Sequence, residues 1–155
     1  QISSMRALQD RGLIAPEWQP VRKVFSDAVA LLPSHHTDIV MDLGDIEVFA
    51  DPLFSRACYR LLDFSLRSGT APVRRIRLTA KVNGDTLHIL FEDDGCGIMD
   101  HEKATLFDLD HPQGLYIIRE LLGYTGIGIS ETGAHGRGCT FDISVPKDKF
   151  RFPAG

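Results

Sequence analysis

Residues 86–98 read Thr-Leu-His-Ile-Leu-Phe-Glu-Asp-Asp-Gly-Cys-Gly-Ile. Leu87, Ile89 and Phe91 alternate with other residues, which predicts a strand over 86–93 with one apolar face. Immediately upstream, Ile76, Leu78, Ala80 and Val82 alternate with Arg75, Arg77, Thr79 and Lys81. Asn83-Gly84 between the two runs is a hairpin turn signal. Downstream, the strand runs straight into acidic residues and Gly95-Cys96-Gly97. Glycines at such a place permit positive φ and close backbone approach to a ligand. Asp94 is expected at the strand end beside that opening, where a carboxylate in a dry pocket can accept a hydrogen bond from an exocyclic amine. Asp and Gly are also turn formers, so an acidic turn would give the same letters.

The rest of the chain supplies helices to cover that hairpin. Val21, Val24, Phe25, Ala28 and Leu32 recur at helical spacing up to Pro33, and Pro20 suits the first turn. A second amphipathic helix is expected from about Pro52 to Arg67, with Phe54, Cys58, Leu61, Leu62 and Ser65 as its inner stripe and Gly69 closing it. A third spans about Gly114 to Tyr124. Short strands are expected at 38–43 and 46–50, and two closing strands near 126–132 and 139–145. Residues 94–113 read as loop, as do Pro16, Trp18 and Pro20, with the Trp18 ring anchoring that loop. Residues 1–11 read as the end of a helix stopped by Gly12. The fold class that satisfies these faces is α/β: a two-layer sandwich, one mixed, mostly antiparallel sheet covered on one face by about three helices.

Composition narrows the class of function. The chain has 155 residues, 17 Lys+Arg against 21 Asp+Glu and a net charge of −4. That balance argues against a general nucleic-acid or anionic-membrane binder. No apolar run approaches the ~20 residues of a membrane helix. Cys58, Cys96 and Cys139 form no CxxC pair, so neither a zinc site nor a disulfide framework is suggested. A reducing, cytoplasmic setting fits best. The chain opens on Gln1 rather than Met and is expected to be a piece of a longer one.

Two further stretches carry candidate chemistry. Pro112-Gln113-Gly114-Leu115-Tyr116 places a glycine at the start of an apolar helix, where free N–H groups and the dipole suit phosphate. Gly136-Arg137-Gly138-Cys139-Thr140-Phe141 leads into the last strand and also reads as a hairpin turn.

In order and spacing these stretches resemble the ATP-binding catalytic domain of sensor histidine kinases, the GHKL superfamily with the Bergerat fold. The resemblance runs from Val21 to Pro146. EVFADPLFSRACYRLLDFSLRSG resembles the N box, FEDDGCGI the G1 box, ATLFD the F-box region, QGLYIIRELL the G2 helix and GRGCTFDISVP the terminal strand motif. The resemblance implies that residues 16–155 form the ATP-binding domain, and that 1–15 are the tail and linker of a helical dimerisation and phosphotransfer segment. It implies that Asp94 binds the adenine amino group, Gly95 and Gly97 shape the turn under the base, and Ile98 packs against it. Gly114 and Leu115 would present backbone N–H groups to the phosphates, with the Thr140 hydroxyl near the aspartate. The expected reaction is transfer of the ATP γ-phosphoryl group to a histidine on the separate helical domain. The expected partners are that domain, a response regulator and, in the full-length protein, a second copy in a homodimer.

Two features depart from the family pattern. The N box there has two asparagines, the second helping to coordinate Mg²⁺; the matching positions here are Arg60 and Phe64. Phe64 offers no oxygen, whereas Mg²⁺ requires hard oxygen ligands. Positions 60, 64 and 67 share a helix face, so Arg60 and Arg67 are expected to face the phosphates in place of a metal. Asp63 lies about 100° away around the helix. Pro112 replaces a glycine of the G2 motif, and residues 99–113 make a short, stiff lid. The six histidines lie outside any phospho-acceptor pattern and read as surface residues. A second reading therefore stands beside the kinase: a degenerate module that keeps the fold and regulates through protein–protein contact.

Overall fold

The computed structural model describes residues 15–67, 72–134 and 136–153. The expected helix in residues 1–11, Gly69 and His135 lie outside these. The hairpin is at the centre of the molecule. Strands β4 (Arg75–Asn83) and β5 (Thr86–Asp93) pair antiparallel through a loop of Gly84 and Asp85, with Gly84 at φ +63°. The turn therefore lies one residue later than Asn83-Gly84 implied. β2 (Asp38–Asp42) joins β4 in parallel, and β7 (Thr140–Val145) and β6 (Gly128–Glu131) extend the other edge antiparallel. The order is β2-β4-β5-β7-β6, a mixed, mostly antiparallel sheet as expected.

One face of this sheet is apolar because the alternation is in phase across strands. Leu78, Phe91 and Phe141 stand in register, as do Ala80, Ile89 and Ile143. Against this face lie α1 (Val21–Ala30), α2 (Phe54–Arg67) and α4 (Tyr116–Gly123), with α2 in the middle. Val21, Val24, Phe25 and Ala28 form the buried stripe of α1, and Ile118, Leu121 and Leu122 that of α4. α2 buries Phe54, Ala57, Cys58, Leu61, Leu62, Phe64 and Ser65. Burial in apolar surroundings pushes the Cys58 thiol far up from its ordinary range. A single turn, α3 (Asp100–Lys103), stands in the segment that read as loop.

A second, three-stranded sheet contains the strand expected at 46–50, but its partner at 17–20 read as loop and its third strand was not expected. β1 (Glu17–Pro20), β3 (Glu47–Ala50) and β8 (Phe150–Arg151) run antiparallel in the order β1-β3-β8. The Trp18 ring does anchor its segment: it packs on Phe49 at 5.4 Å, and the Arg151 guanidinium lies 4.2 Å above it. Four-residue strands that close on a two-residue strand about a hundred positions later leave no periodicity to read. Gln19 Nε2 donates to the carbonyls of Ala50 and Asp51, tying β1 to the start of α2.

Candidate nucleotide site

The end of β5 carries two carboxylates with opposite fates. Alternation along the strand buries Leu87, Ile89, Phe91 and then Asp93, which is 7% exposed. Asp94, one residue on, is exposed. Its Oδ1 accepts the backbone N–H groups of Arg74 and Arg75, at 2.8 and 3.1 Å. The expectation of a dry-pocket carboxylate at Asp94 is thus corrected by one position: Asp94 braces the entry to β4, and Asp93 is the inward group. The signal was present in the sequence. Asp93 has the same parity as Phe91, and it is Asp93, Gly95 and Gly97 that follow at intervals of two.

Asp93 is held from three sides. Oδ1 accepts the N–H groups of Gly95 and Cys139, both at 3.0 Å, and Oδ2 accepts the Ser65 hydroxyl at 2.6 Å. Ser65 is fully buried on α2. An ionised carboxylate has about four lone-pair sites, so three protein donors leave capacity for one more at Oδ2. Gly97 at φ +80° turns the chain away, and Ile98 behind it is buried. Gly95 is half-buried, and a side chain on it would meet Val73 and the Asp93 carboxylate. Gly138, at φ +91°, packs so closely on the Asp93 carbonyl that no Cβ fits. Thr140 does not share this face. It pairs with Glu92, of the opposite parity, while Cys139 is buried, its carbonyl accepting the Asp93 N–H at 2.9 Å and its own N–H going to the Asp93 carboxylate. Burial, with Asp93 and Glu131 nearby, pushes the Cys139 thiol far up from its ordinary range.

The other end of the site joins α2 to the opening of α4. A cleft of about 80 Å³ is lined by Arg60, Asp63, Phe64, Arg67, Gln113, Gly114 and Leu115. The face at positions 60, 64 and 67 therefore does meet the start of the G2 helix. Three details differ from expectation. Phe64 is also core: it is 6% exposed and packs edge-on against Phe141 at 5.8 Å. Asp63 reaches the cleft and grips Arg67 with both oxygens, at 2.9 and 2.6 Å, which holds the guanidinium above its ordinary range. The Gly114 N–H is turned back onto the His111 carbonyl at 3.1 Å. Gly114 takes φ +70°, and Leu115 caps α4 without a side-chain hydrogen bond. The opening turn of a helix leaves N–H groups without partners.

The segment between the two ends is pinned to the sheet edge. Phe107 of the F-box region packs edge-on against Phe141 at 6.3 Å, and Leu106 is buried. Lys103 Nζ stands 2.9 Å from Glu131 Oε1 and also donates to the Gly133 carbonyl. Glu131 Oε2 accepts the N–H groups of Gly133 and Thr140, both at 2.9 Å. Lys103 and Glu131 are 28 residues apart, and nothing in the sequence links them.

A family model matches residues 50–149, from the strand before α2 to the end of the closing strands. The chain belongs to the histidine kinase-, DNA gyrase B- and HSP90-like ATPase family. Among solved structures of this ATPase fold, a mycobacterial sensor histidine kinase, MprB, superposes with a TM-score of 0.73 at 16% identity, covering 85% of this chain and 97% of that one. The catalytic domain of the histidine kinase ThkA, nucleotide-free, gives 0.71 at 17% identity over 85% and 95%. ThkA in complex with the response regulator TrrA gives 0.72 at 15% identity over 96% of this chain and 48% of that one. No curated protein sequence matches the chain. At these identities the structures speak for the ATPase fold, and the residues at each end of the site must carry the rest.

Proposed function

We propose that this ATPase-family domain binds an adenine nucleotide with its base on Asp93 and its phosphates toward the cleft between α2 and α4. We propose further that it serves as the ATP-binding domain of a sensor histidine kinase. The observation that carries the reading is the buried Asp93 carboxylate, fixed by Gly95, Cys139 and Ser65 with one acceptor position to spare. An adenine amine is a donor that such a position would accept. A charge-assisted bond in a dry site contributes about 1.5–3 kcal/mol.

In the proposed reaction the γ-phosphoryl group passes to a histidine on a separate helical domain. An imidazole nitrogen lone pair forms the P–N bond as the bond to the bridging oxygen breaks and ADP leaves. Such a step depends on positioning and charge neutralisation rather than on covalent chemistry by the domain. The complex of ThkA with a response regulator supports a response regulator as the next acceptor. The family resemblance supports cytoplasmic work within a homodimer. Among the described residues no helix is long and apolar enough to cross a membrane.

The Mg²⁺ that the family implies does not fit this donor set. Phe64 has no oxygen, the Asp63 carboxylate is ion-paired to Arg67 with one hydrogen bond to each oxygen, and no group of three or more His, Cys, Asp or Glu among the described residues is placed to hold a metal. That donor set is the observation behind a second reading, a degenerate, catalytically weak or inactive module that regulates through protein–protein contact.

Asp93→Asn separates the nucleotide reading from a purely structural role. Asn keeps an oxygen for Gly95 and Cys139 and a group for Ser65, but turns an N–H₂ toward the adenine amine. ADP binding by calorimetry should weaken about 10- to 100-fold, matching a loss of about 1.5–3 kcal/mol, while Asp94→Asn should leave it unchanged. Equal affinity in both variants would remove Asp93 from the site. Phosphorylation of an added helical histidine domain by ATP would then decide between transferase and regulatory module.

A further inference from the structure

The cleft between α2 and α4 has an uneven charge distribution. Arg67 is neutralised by Asp63. Arg60, on the same face and exposed, has no carboxylate partner among the described residues. The Phe64 ring fills the position between them with carbon and is locked there by its edge contact with Phe141. Among the described residues that line the cleft, the net result is one guanidinium without a carboxylate partner, a helix opening with no side-chain cap and no cluster of carboxylates.

A phosphate chain entering this cleft meets a cation already supplied by the protein. Guanidinium presents a planar fork of N–H donors that matches phosphate oxygens and keeps its charge at any physiological pH. Mg²⁺, by contrast, needs near-octahedral oxygen ligands and gives up its waters reluctantly. With Phe64 inert and the Asp63 carboxylate ion-paired to Arg67, the cleft lining offers a divalent ion no unpaired carboxylate, and the phosphates themselves would have to supply most of its ligands. Its charge would then stand beside that of Arg60, a repulsive arrangement.

We infer that this chain binds adenine nucleotides without a divalent cation, the Arg60 guanidinium supplying the charge that the metal would carry. This rests on the nucleotide reading above and deepens it. It makes the site selective for the free nucleotide, ADP or ATP, rather than for its magnesium complex.

The test is calorimetric titration of the 155-residue chain with ADP and with ATP, once in excess EDTA and once in millimolar Mg²⁺. The expected result is a dissociation constant in EDTA equal to or lower than that in Mg²⁺. Arg60→Gln, an exposed change that spares the core, should weaken binding about tenfold in EDTA, the loss of one charge-assisted contact. Arg60→Asn with Phe64→Asn should bind more tightly when Mg²⁺ is added. Arg60→Gln stands alone if that double variant does not fold. Binding by the parent that tightens tenfold on adding Mg²⁺ would overturn the inference and leave the nucleotide reading intact. Mg²⁺-insensitive binding unaffected by Arg60→Gln would overturn the role of Arg60. No binding of either nucleotide in either condition would overturn the nucleotide reading itself.

Discussion

Phe64 and Ser65 are neighbours on one helix, and they mark the two ends of the site. A residue step turns the helix by about 100°, so the two side chains leave α2 in different directions. Ser65 reaches the sheet and donates to Asp93 at 2.6 Å, with no exposure. Phe64 turns toward the α4 opening, lines the cleft and packs on Phe141. The proposed base end is thus polar and buried, with one acceptor position to spare on Asp93. The phosphate end is apolar at its centre and cationic at its rim. On the proposed reading, the buried Asp93 carboxylate is the group that would recognise adenine, while Phe64 leaves the other end without a side-chain oxygen at that position. Recognition of the nucleotide and handling of its γ-phosphate are physically separable, because one depends on a buried carboxylate and the other on the surface of a helix.

The largest expected effect tests whether Phe64 is a pocket wall or a core residue. Phe64→Ala removes a ring that is 6% exposed and in edge contact with Phe141. Phe→Ala changes in cores cost about 3–5 kcal/mol, and a site open on one side belongs at the lower end. A fall in Tm of roughly 6–12 °C is expected, using about 2–4 °C per kcal/mol for a domain of this size. A fall of a degree or two would show that the ring merely covers the cleft, and the contrast between the two ends would weaken.

The base end should respond next. Asp93→Ala leaves the N–H groups of Gly95 and Cys139 and the Ser65 hydroxyl without their acceptor. Unsatisfied buried donors cost about 1–3 kcal/mol each, and relaxation or water entry will recover part of that, so a loss of about 2–4 kcal/mol in urea unfolding is expected. Asp94→Ala, on an exposed group that braces two backbone N–H groups, should cost about 1 kcal/mol or less. A reversed order would return the site to Asp94.

How far this was legible in the sequence differs between the two ends for the same geometric reason. The hairpin, the three long helices and the central sheet follow from alternation at two residues and recurrence at three to four, signals that survive in one dimension. The α2 face at 60, 64 and 67 was legible because helical spacing fixes it. The choice between Asp93 and Asp94 was legible too, but only by carrying the strand's parity through to its last residue. Adjacency to the glycines points to Asp94, whereas alternation along β5 points to Asp93, the one the fold buries. By the same parity, Thr140 lies on the opposite face from Asp93. Burial of Phe64 was not legible from the stripe of α2, because its partner Phe141 arrives 77 positions later on β7. The three-stranded sheet and the Lys103–Glu131 contact are long-range in the same way: their partners are set by the finished fold.

Lys103 offers the smallest effect, and it concerns the short segment that joins the two ends in sequence. The hydrogen bond to Glu131 is the main cause that raises the Lys103 pKa above 10.5; burial opposes it. A raised value means that the folded state holds the proton more tightly than the unfolded chain does. The stabilisation is therefore fully present below the ordinary lysine value and is lost as pH rises through the higher folded one. Water reaches only the Lys103 side of the pair, 23% exposed, while the Glu131 side chain is 1% exposed, so screening trims the effect without removing it. Lys103→Met keeps most of the stem and removes the charge. The parent should melt higher than this variant from pH 7 to 9, and the gap should narrow from pH 10.5 upward and close above the higher folded value, where both lack the ammonium. Hydrogen exchange of residues 99–113 should quicken in the variant at neutral pH, because the turn α3 loses its tie to β6. A gap in Tm that stays constant up to pH 12 would mean that the methylene stem, packed against the sheet edge, holds the lid and that the ion pair contributes nothing.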